Sequence, residues 1–262
     1  MLFRSNGLVG GLPLAVTEAP TITSQAFGTD KQKSMATYTK NNAGAKGVVG
    51  PVVYHLDNEP SLWSTTHRDI VPTLPSSSAF FATSAATAAA VKQGDSTGLV
   101  AGPGEWGWCA WLFFPSDGCS AVGGGETQTA GKDYAQAYLA AMHAAEVSGG
   151  TPLLDVFDEH FYPQRYAVFG NPDTTNAGDA TLQAQRLDAV RGLWDPAFDD
   201  GSWIGQPTRL IPRMKAWRTA VYGAGNGPKL GVSEYAFGAI DSMNGALAQA
   251  DALGVQIGRA HV

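Results

Sequence analysis

Two glutamates stand where the sequence leaves an apolar run. Glu59 follows Val52-Val-Tyr-His-Leu56 through Asp57 and Asn58, and Glu234 follows Lys229-Leu-Gly-Val-Ser233. The first run has the β-branched and aromatic content of a buried strand, and the second reads as a short strand as well. Pro60 stops the first ladder, because it has no N–H to donate and keeps Glu59 out of the right-handed helical region. In parallel α/β sheets the carboxyl ends of the strands converge on one face, where ligands bind. Two carboxylates brought together there can divide the work of cleaving an acetal. One protonates the departing oxygen, the other attacks the carbon or activates water, and in retaining glycoside cleavage they stand about 5 Å apart. Asn58, beside Glu59, is placed to hydrogen-bond a sugar 2-hydroxyl. A solvated surface turn is the competing reading of Asn58 and Glu59.

Aromatic residues collect at the same kind of position. Trp63, Trp106, Trp108, Tyr162 and Tyr235 all fall at or beyond strand ends, where flat rings suit the apolar faces of pyranoses, although each alone is more often core. Glu105 shares that rim with Trp106. His160 lies in Asp158-Glu-His-Phe-Tyr-Pro163 and reads as a site position beside Tyr162. Strand alternation lets only one of Asp158 and Glu159 face the same way as His160, and Asp158 has that parity. His55 reads as a hydrogen-bonded structural histidine, and His67-Arg-Asp69 as a locally charge-paired loop.

The elements that must carry these residues follow a repeated order. Ser76 to Ser78 offer N-caps for an Ala-rich helix to about Lys92, and Gly98 to Gly102 is a second short strand. A helix from Asp133 to Val147 has Tyr134, Tyr138, Leu139 and Met142 at helical spacing, which predicts core packing. Leu153 to Phe157 is a third strand and Lys229 to Ser233 a fourth. Helical patterns cover 180–193, 208–221 and 244–253, and Asp30 to Asn42 reads as an exposed helix. Strand followed by helix, with polar residues at each strand's far end, is the pattern of parallel βα units. Five such units are countable if Leu12 to Thr17 is a strand, whereas a closed (β/α)8 barrel of the TIM type needs eight. The expected fold is therefore α/β, a single domain over 1–262 of TIM-barrel type, with N-terminal strands and the eighth strand missing or degenerate.

Composition narrows the function classes. The chain has 262 residues, a net charge of −6, 15% charged residues and 32 glycines, which suits a loop-rich globular domain acting on a neutral substrate. An acidic balance argues against nucleic acid or an anionic membrane surface as partner. No stretch approaches the roughly 20 apolar residues that span a bilayer. Met1 to Pro20 makes a poor signal peptide, interrupted by Gly10, Gly11 and Pro13. No zinc-type ligand spacing or calcium loop is present, so no metal and no cofactor are expected. Cys109 and Cys119 flank a turn and read either as a small disulfide loop or as two buried thiols.

Several longer stretches resemble glycoside hydrolase family 44, the clan A endo-β-1,4-glucanases and xyloglucanases. They are Tyr54-His-Leu-Asp-Asn-Glu-Pro-Ser-Leu-Trp63 with Thr66-His-Arg-Asp69, Val100-Ala-Gly-Pro-Gly-Glu-Trp-Gly-Trp108, Leu193-Trp-Asp-Pro196, Arg209-Leu-Ile-Pro-Arg-Met214, Ser233-Glu-Tyr235 and Asn244-Gly-Ala-Leu-Ala-Gln-Ala-Asp251. The similarity runs over about 50–254, and 1–30 matches poorly. It implies a retaining double displacement, with Glu59 after the fourth barrel strand as acid/base and Glu234 after the seventh as nucleophile. His160 and Tyr162 would follow the sixth strand and line the site near the nucleophile, with Glu105 and Trp106 on the rim after the fifth. Too few residues precede Glu59 for three complete units, and no sequence remains for the small β-sandwich that family members build from their two ends. The resemblance therefore implies a truncated piece of a catalytic domain. It further implies a secreted monomer whose partner is a polysaccharide, β-1,4-glucan or xyloglucan. Two alternatives stand beside it: a mannan- or xylan-cleaving clan A enzyme, and a non-catalytic carbohydrate-binding fragment.

Overall fold

The computed structural model describes residues 8–9, 12–13, 25–113, 132–165, 168 and 176–260. Its centre is a four-stranded sheet in which β1 (Val53–His55), β2 (Leu99–Glu105), β3 (Val156–Glu159) and β4 (Lys229–Gly231) lie side by side in chain order. All three pairings are parallel, with Tyr54 opposite Val100, Ala101 opposite Val156 and Phe157 opposite Leu230. Every polar strand end therefore emerges on one side, as the sequence order requires.

Helices cover the sheet because each connection between parallel strands must cross over it. Helix α1 (Thr29–Ala45) packs on α2 (Ser77–Gly94), α2 on α3 (Tyr134–Gly149), and α3 on α5 (Leu210–Tyr222), while α4 (Ala180–Ala189) packs on α6 (Met243–Val255). Three of these helices start at short polar side chains that cap them. Ser76 Oγ accepts from the Ala79 N–H at 3.3 Å, Asp179 Oδ1 from Leu182 at 2.8 Å, and Ser242 Oγ from Gly245 at 3.2 Å. Helix α3 ends on Gly150, whose φ of 66° is the left-handed conformation that glycine adopts without a Cβ penalty.

The stripe on α3 is core. Tyr134, Tyr138, Leu139 and Met142 are wholly buried against Phe80 and Phe81 of α2 and the sheet residues Val100 and Phe157. Burying each large side chain stabilises by about 1.5–3 kcal/mol, so this layer fixes how the helices sit on the sheet.

One sequence expectation changes here. Leu12 does enter a strand, but Leu12–Pro13 pairs antiparallel with Leu8–Val9 in a separate two-stranded sheet, and Leu14–Thr17 lies outside the described residues. The parallel units thus number four among the described residues, half of what an eight-stranded barrel contains. After Glu59 a 3-10 turn at Pro60–Leu62 leads into a helical turn at Trp63–Thr66.

Candidate active site

The chain turns sharply after β1. The ladder continues through the Leu56 N–H to Ala101 O at 2.9 Å, and then Asp57 and Glu59 adopt φ values of 120° and 47°. Such backbone costs on the order of 1–3 kcal/mol for a residue with a side chain and persists only where neighbours hold it. Here the Glu59 N–H donates to Gly104 O at 2.9 Å, and a His55 ring nitrogen meets the Asp57 carbonyl oxygen. The consequence is that Glu59 stands over the strand ends.

Strands β3 and β4 stay paired beyond their regular ends. The Phe161 N–H donates to Glu234 O at 2.9 Å, and Phe161 bridges to Tyr235 in parallel. That pairing brings His160 level with Glu234. On its other side the His160 N–H donates to Glu105 O at 2.9 Å.

The three side chains meet at one atom. His160 Nδ1 lies 3.0 Å from Glu59 Oε1 and 3.1 Å from Glu234 Oε2. One oxygen of each glutamate and this nitrogen all fall within 4.8 Å of one another. Nδ1 facing two carboxyl groups is the position for a ring proton shared between them. The Tyr162 hydroxyl donates to Glu234 Oε1 at 2.5 Å, and burial followed by the Glu234 carboxylate raises its pKa, so the phenol stays protonated. The imidazole is buried, whereas the Glu59 and Glu234 side chains are 19% and 43% exposed. The pair therefore opens to solvent with the histidine beneath it. The same three atoms are the one group among the described residues that could hold a metal ion.

Replacing Tyr162 by Phe is expected to lower turnover about 10- to 100-fold, the equivalent of losing a hydrogen bond to a charged group. The Glu234 carboxylate then keeps one donor of two, and steady-state kinetics on the variant checks it.

Comparison with known proteins identifies the family. Residues 5–165 match the model of glycoside hydrolase family 44. The chain belongs to this family. Endoglucanase A of Paenibacillus lautus is 35% identical over 215 residues, covering 79% of this chain and 29% of that protein. The β-mannanase/endoglucanase A of Caldicellulosiruptor saccharolyticus is 30% identical over 239 residues, covering 83% and 17%. Among solved structures, the bifunctional glucanase-xylanase CelM2 from a metagenome library superposes with a TM-score of 0.80 at 31% identity, over 95% of this chain and 48% of that one. A Paenibacillus polymyxa family 44 xyloglucanase gives 0.72 at 30% identity, over 88% and 45%. The chain thus spans about half the length of these solved relatives and less than a third of the curated ones. Its fold is of the (β/α)8 barrel type, with four parallel units among the described residues.

Against this family 44 frame, the rim residues divide. Asn58 is exposed, and Trp63, Trp106, Tyr162 and Tyr235 are half-buried. Trp63 sets its ring edge on Phe80 of α2, centroids 5.6 Å apart, and the Tyr235 hydroxyl accepts from Gln249 Nε2 at 3.0 Å. Glu105 and Trp108 require correction, because both are buried and neither offers a surface to a ligand. Trp108 packs edge-on to Trp111 under the Arg213 guanidinium, 4.7 Å from its ring.

Glu105 turns inward because of a register shift between Pro103 and Glu105. A Cβ on Gly102 would face the Tyr138 hydroxyl on the helix side, yet one on Gly104, two residues later, would face His55 on the opposite side. The bulge reverses the alternation, and Glu105 follows it into the sheet–helix layer. There its Oε2 accepts from the Ser61 N–H at 3.4 Å, and its own N–H donates to Glu159 Oε2 at 3.2 Å. Burial pushes the Glu105 carboxyl up to about 8, and burial together with the Glu105 charge pushes Glu159 well above the usual carboxylate range.

Sequence reasoning passed over three residues beside the site. Trp203 is half-exposed, and its indole donates to Gln164 Oε1 at 3.2 Å while Gln164 Nε2 donates to Tyr162 O at 2.9 Å. The third is Ser233, next to Glu234. Nothing in the local sequence around Trp203 marks it, since it reaches the rim from a loop between α4 and α5. His67 is exposed, with Nδ1 2.9 Å from its neighbour Thr66 Oγ1, and belongs to that local turn. Cys109 takes part in a disulfide, and Cys119 lies outside the described residues.

Proposed function

We propose that this chain carries the centre of a retaining endo-β-1,4-glucanase or xyloglucanase, with Glu59 as acid/base and Glu234 as nucleophile. One observation carries the reading. Carboxyl oxygens of Glu59 and Glu234 lie within 4.8 Å, close to the roughly 5 Å of retaining sites and well short of the 6.5–9.5 Å that lets water in between.

The groups suit each step. Glu234 attacks the anomeric carbon while Tyr162 and His160 hold its two oxygens in place. His160 engages Oε1 of Glu59, leaving Oε2 to deliver a proton to the departing oxygen. In the second half-reaction Glu59 takes a proton from the incoming water, and the glycosyl–Glu234 bond breaks. Asn58, Trp63, Trp106, Tyr162 and Tyr235 are the binding groups of the proposal. Its substrate is a neutral β-1,4-linked polysaccharide, which suits the chain's net charge of −6 and its resemblance to a xyloglucanase solved with xyloglucan. No helix among the described residues is long and apolar enough to cross a membrane. A monomeric, secreted enzyme that meets its polymer outside the cell completes the reading, with 1–262 acting as one domain.

The test is release of reducing ends from carboxymethylcellulose, xyloglucan, xylan and mannan. Cleavage of the two glucans is expected. Release from mannan or xylan alone would replace the substrate class, a reading motivated by relatives named for those activities. No release from any polymer would leave a non-catalytic or defective carbohydrate-binding fragment, a reading motivated by the four parallel strands found among the described residues.

Glu59→Ala separates the acid role from mere binding. Its kcat/KM on a polysaccharide is expected to fall about 10²–10⁴-fold. On an aryl glycoside whose phenolate leaves unaided, kcat/KM should barely change. Equal losses on both substrates would remove Glu59 from the acid role.

A further inference from the structure

Asp158 of β3 has more donors than a structural carboxylate of one strand needs. Its Oδ1 accepts from the Ser233 N–H at 2.9 Å, and its Oδ2 accepts from the Ser233 hydroxyl and lies 2.8 Å from His55 Nε2. Only 2% of Asp158 is exposed. His55 belongs to β1, and its other ring nitrogen, Nδ1, meets the carbonyl oxygen of Asp57. A carbonyl oxygen and a carboxylate oxygen are both acceptors, so these two contacts call for a proton on each ring nitrogen, the imidazolium form of His55. Burial alone would lower its pKa, but the Asp158 hydrogen bond and charge outweigh it and the result is a raised value.

Each arm ends beside one of the two reactive glutamates. Ser233 immediately precedes Glu234. The Asp57 carbonyl opens the positive-φ turn that displays Glu59. We infer that Asp158 and His55 are positioning residues that set the separation of Glu59 and Glu234, Asp158 holding the nucleophile's strand through Ser233 and His55 holding the acid/base turn through Asp57. The backbone is fitted to this unit. A Cβ on Gly104 would come 2.4 Å from His55 Cε1, and one on Gly231 would come 2.8 Å from Asp158 Oδ1. Neither side chain touches the point between the glutamates where a glycosidic bond would sit, so neither replaces a catalytic residue.

The inference rests on the hydrolase reading, and the two arms give it separable signatures. His55→Gln loosens only the Glu59 turn. Its kcat/KM on polysaccharide should fall about 10- to 100-fold, while kcat/KM on an aryl glycoside with a 2,4-dinitrophenolate leaving group, which needs no acid, stays within about 3-fold. Ser233→Ala loosens the nucleophile and should lower both by a similar factor, and Asp158→Asn should do the same with a larger loss. Losses in His55→Gln that are equal on the two substrates, or absent on both, overturn the inference, because general destabilisation has no preference for leaving group. A wild-type chain that cleaves neither substrate speaks against the hydrolase reading instead. The geometry is then decided by nitrogen NMR of the His55 ring near pH 7. Two protonated nitrogens that revert to a neutral ring in Asp158→Asn support the clamp, and an unchanged ring overturns it.

Discussion

Glu234→Ala is expected to abolish polysaccharide cleavage, lowering kcat by about four orders of magnitude or more, as removal of a nucleophile does. The backbone around it should survive. Glu234 contributes its carbonyl, not its side chain, to the pairing with Phe161, and the side chain is 43% exposed. Azide added to the variant supplies an external nucleophile in the space the carboxylate vacates. It enters on the face Glu234 would attack, so an aryl β-glycoside should yield the α-glycosyl azide. Glu234→Gln fills that space with an amide, and rescue should fail there. A β-glycosyl azide from the alanine variant would instead assign Glu234 to the acid/base role. Retained cleavage would remove it from the chemistry altogether.

The strand ends were legible because three cues coincide there. An apolar β-branched run, a polar cluster and a terminating proline mark Glu59, and the first two mark Glu234. That four such ends converge follows from the order of βα units, since parallel strands must all point one way. The meeting of Glu59 and Glu234 at His160 Nδ1 needed the pairing of Phe161 with Tyr235, which lies beyond the regular strands. Glu105 was misplaced for a physical reason. Strand parity holds only while the register does, and the shift at Pro103–Glu105 belongs to the pairing with β3 rather than to any local residue pattern. Asp158 was assigned the correct parity, yet its partners come from β1 and from beyond β4, so its role as a junction was invisible in the six residues around it. The Leu12 strand failed differently, since an apolar pair after Gly-Gly suits a hairpin as well as a parallel unit.

The buried carboxyls Glu105 and Glu159 predict a stability that falls as pH rises. Both are fully buried, opposite each other on β2 and β3, against Tyr134 and Tyr138. In the unfolded chain they release their protons from about pH 4.5 upward, whereas the folded chain keeps the Glu105 proton until about 8. Between those values the unfolded state binds fewer protons, so each step up in pH favours unfolding. The loss amounts to a few kcal/mol between pH 5 and pH 8, or roughly 10 °C in melting temperature for a chain of this size. His55 acts in the same direction, since a histidine with a raised pKa loses its stabilising charge as pH climbs. The double variant Glu105→Gln with Glu159→Gln separates the two contributions. It keeps neutral polar groups of the same shape, should match the wild type near pH 5, and should lose much of the decline toward pH 8 while retaining the share due to His55. Thermal melts across that range decide it. A wild-type curve that is flat or rises with pH would mean that the two glutamates are ionised in the folded protein, and the sheet–helix layer would then need a cation or water at their carboxyl groups to hold that charge.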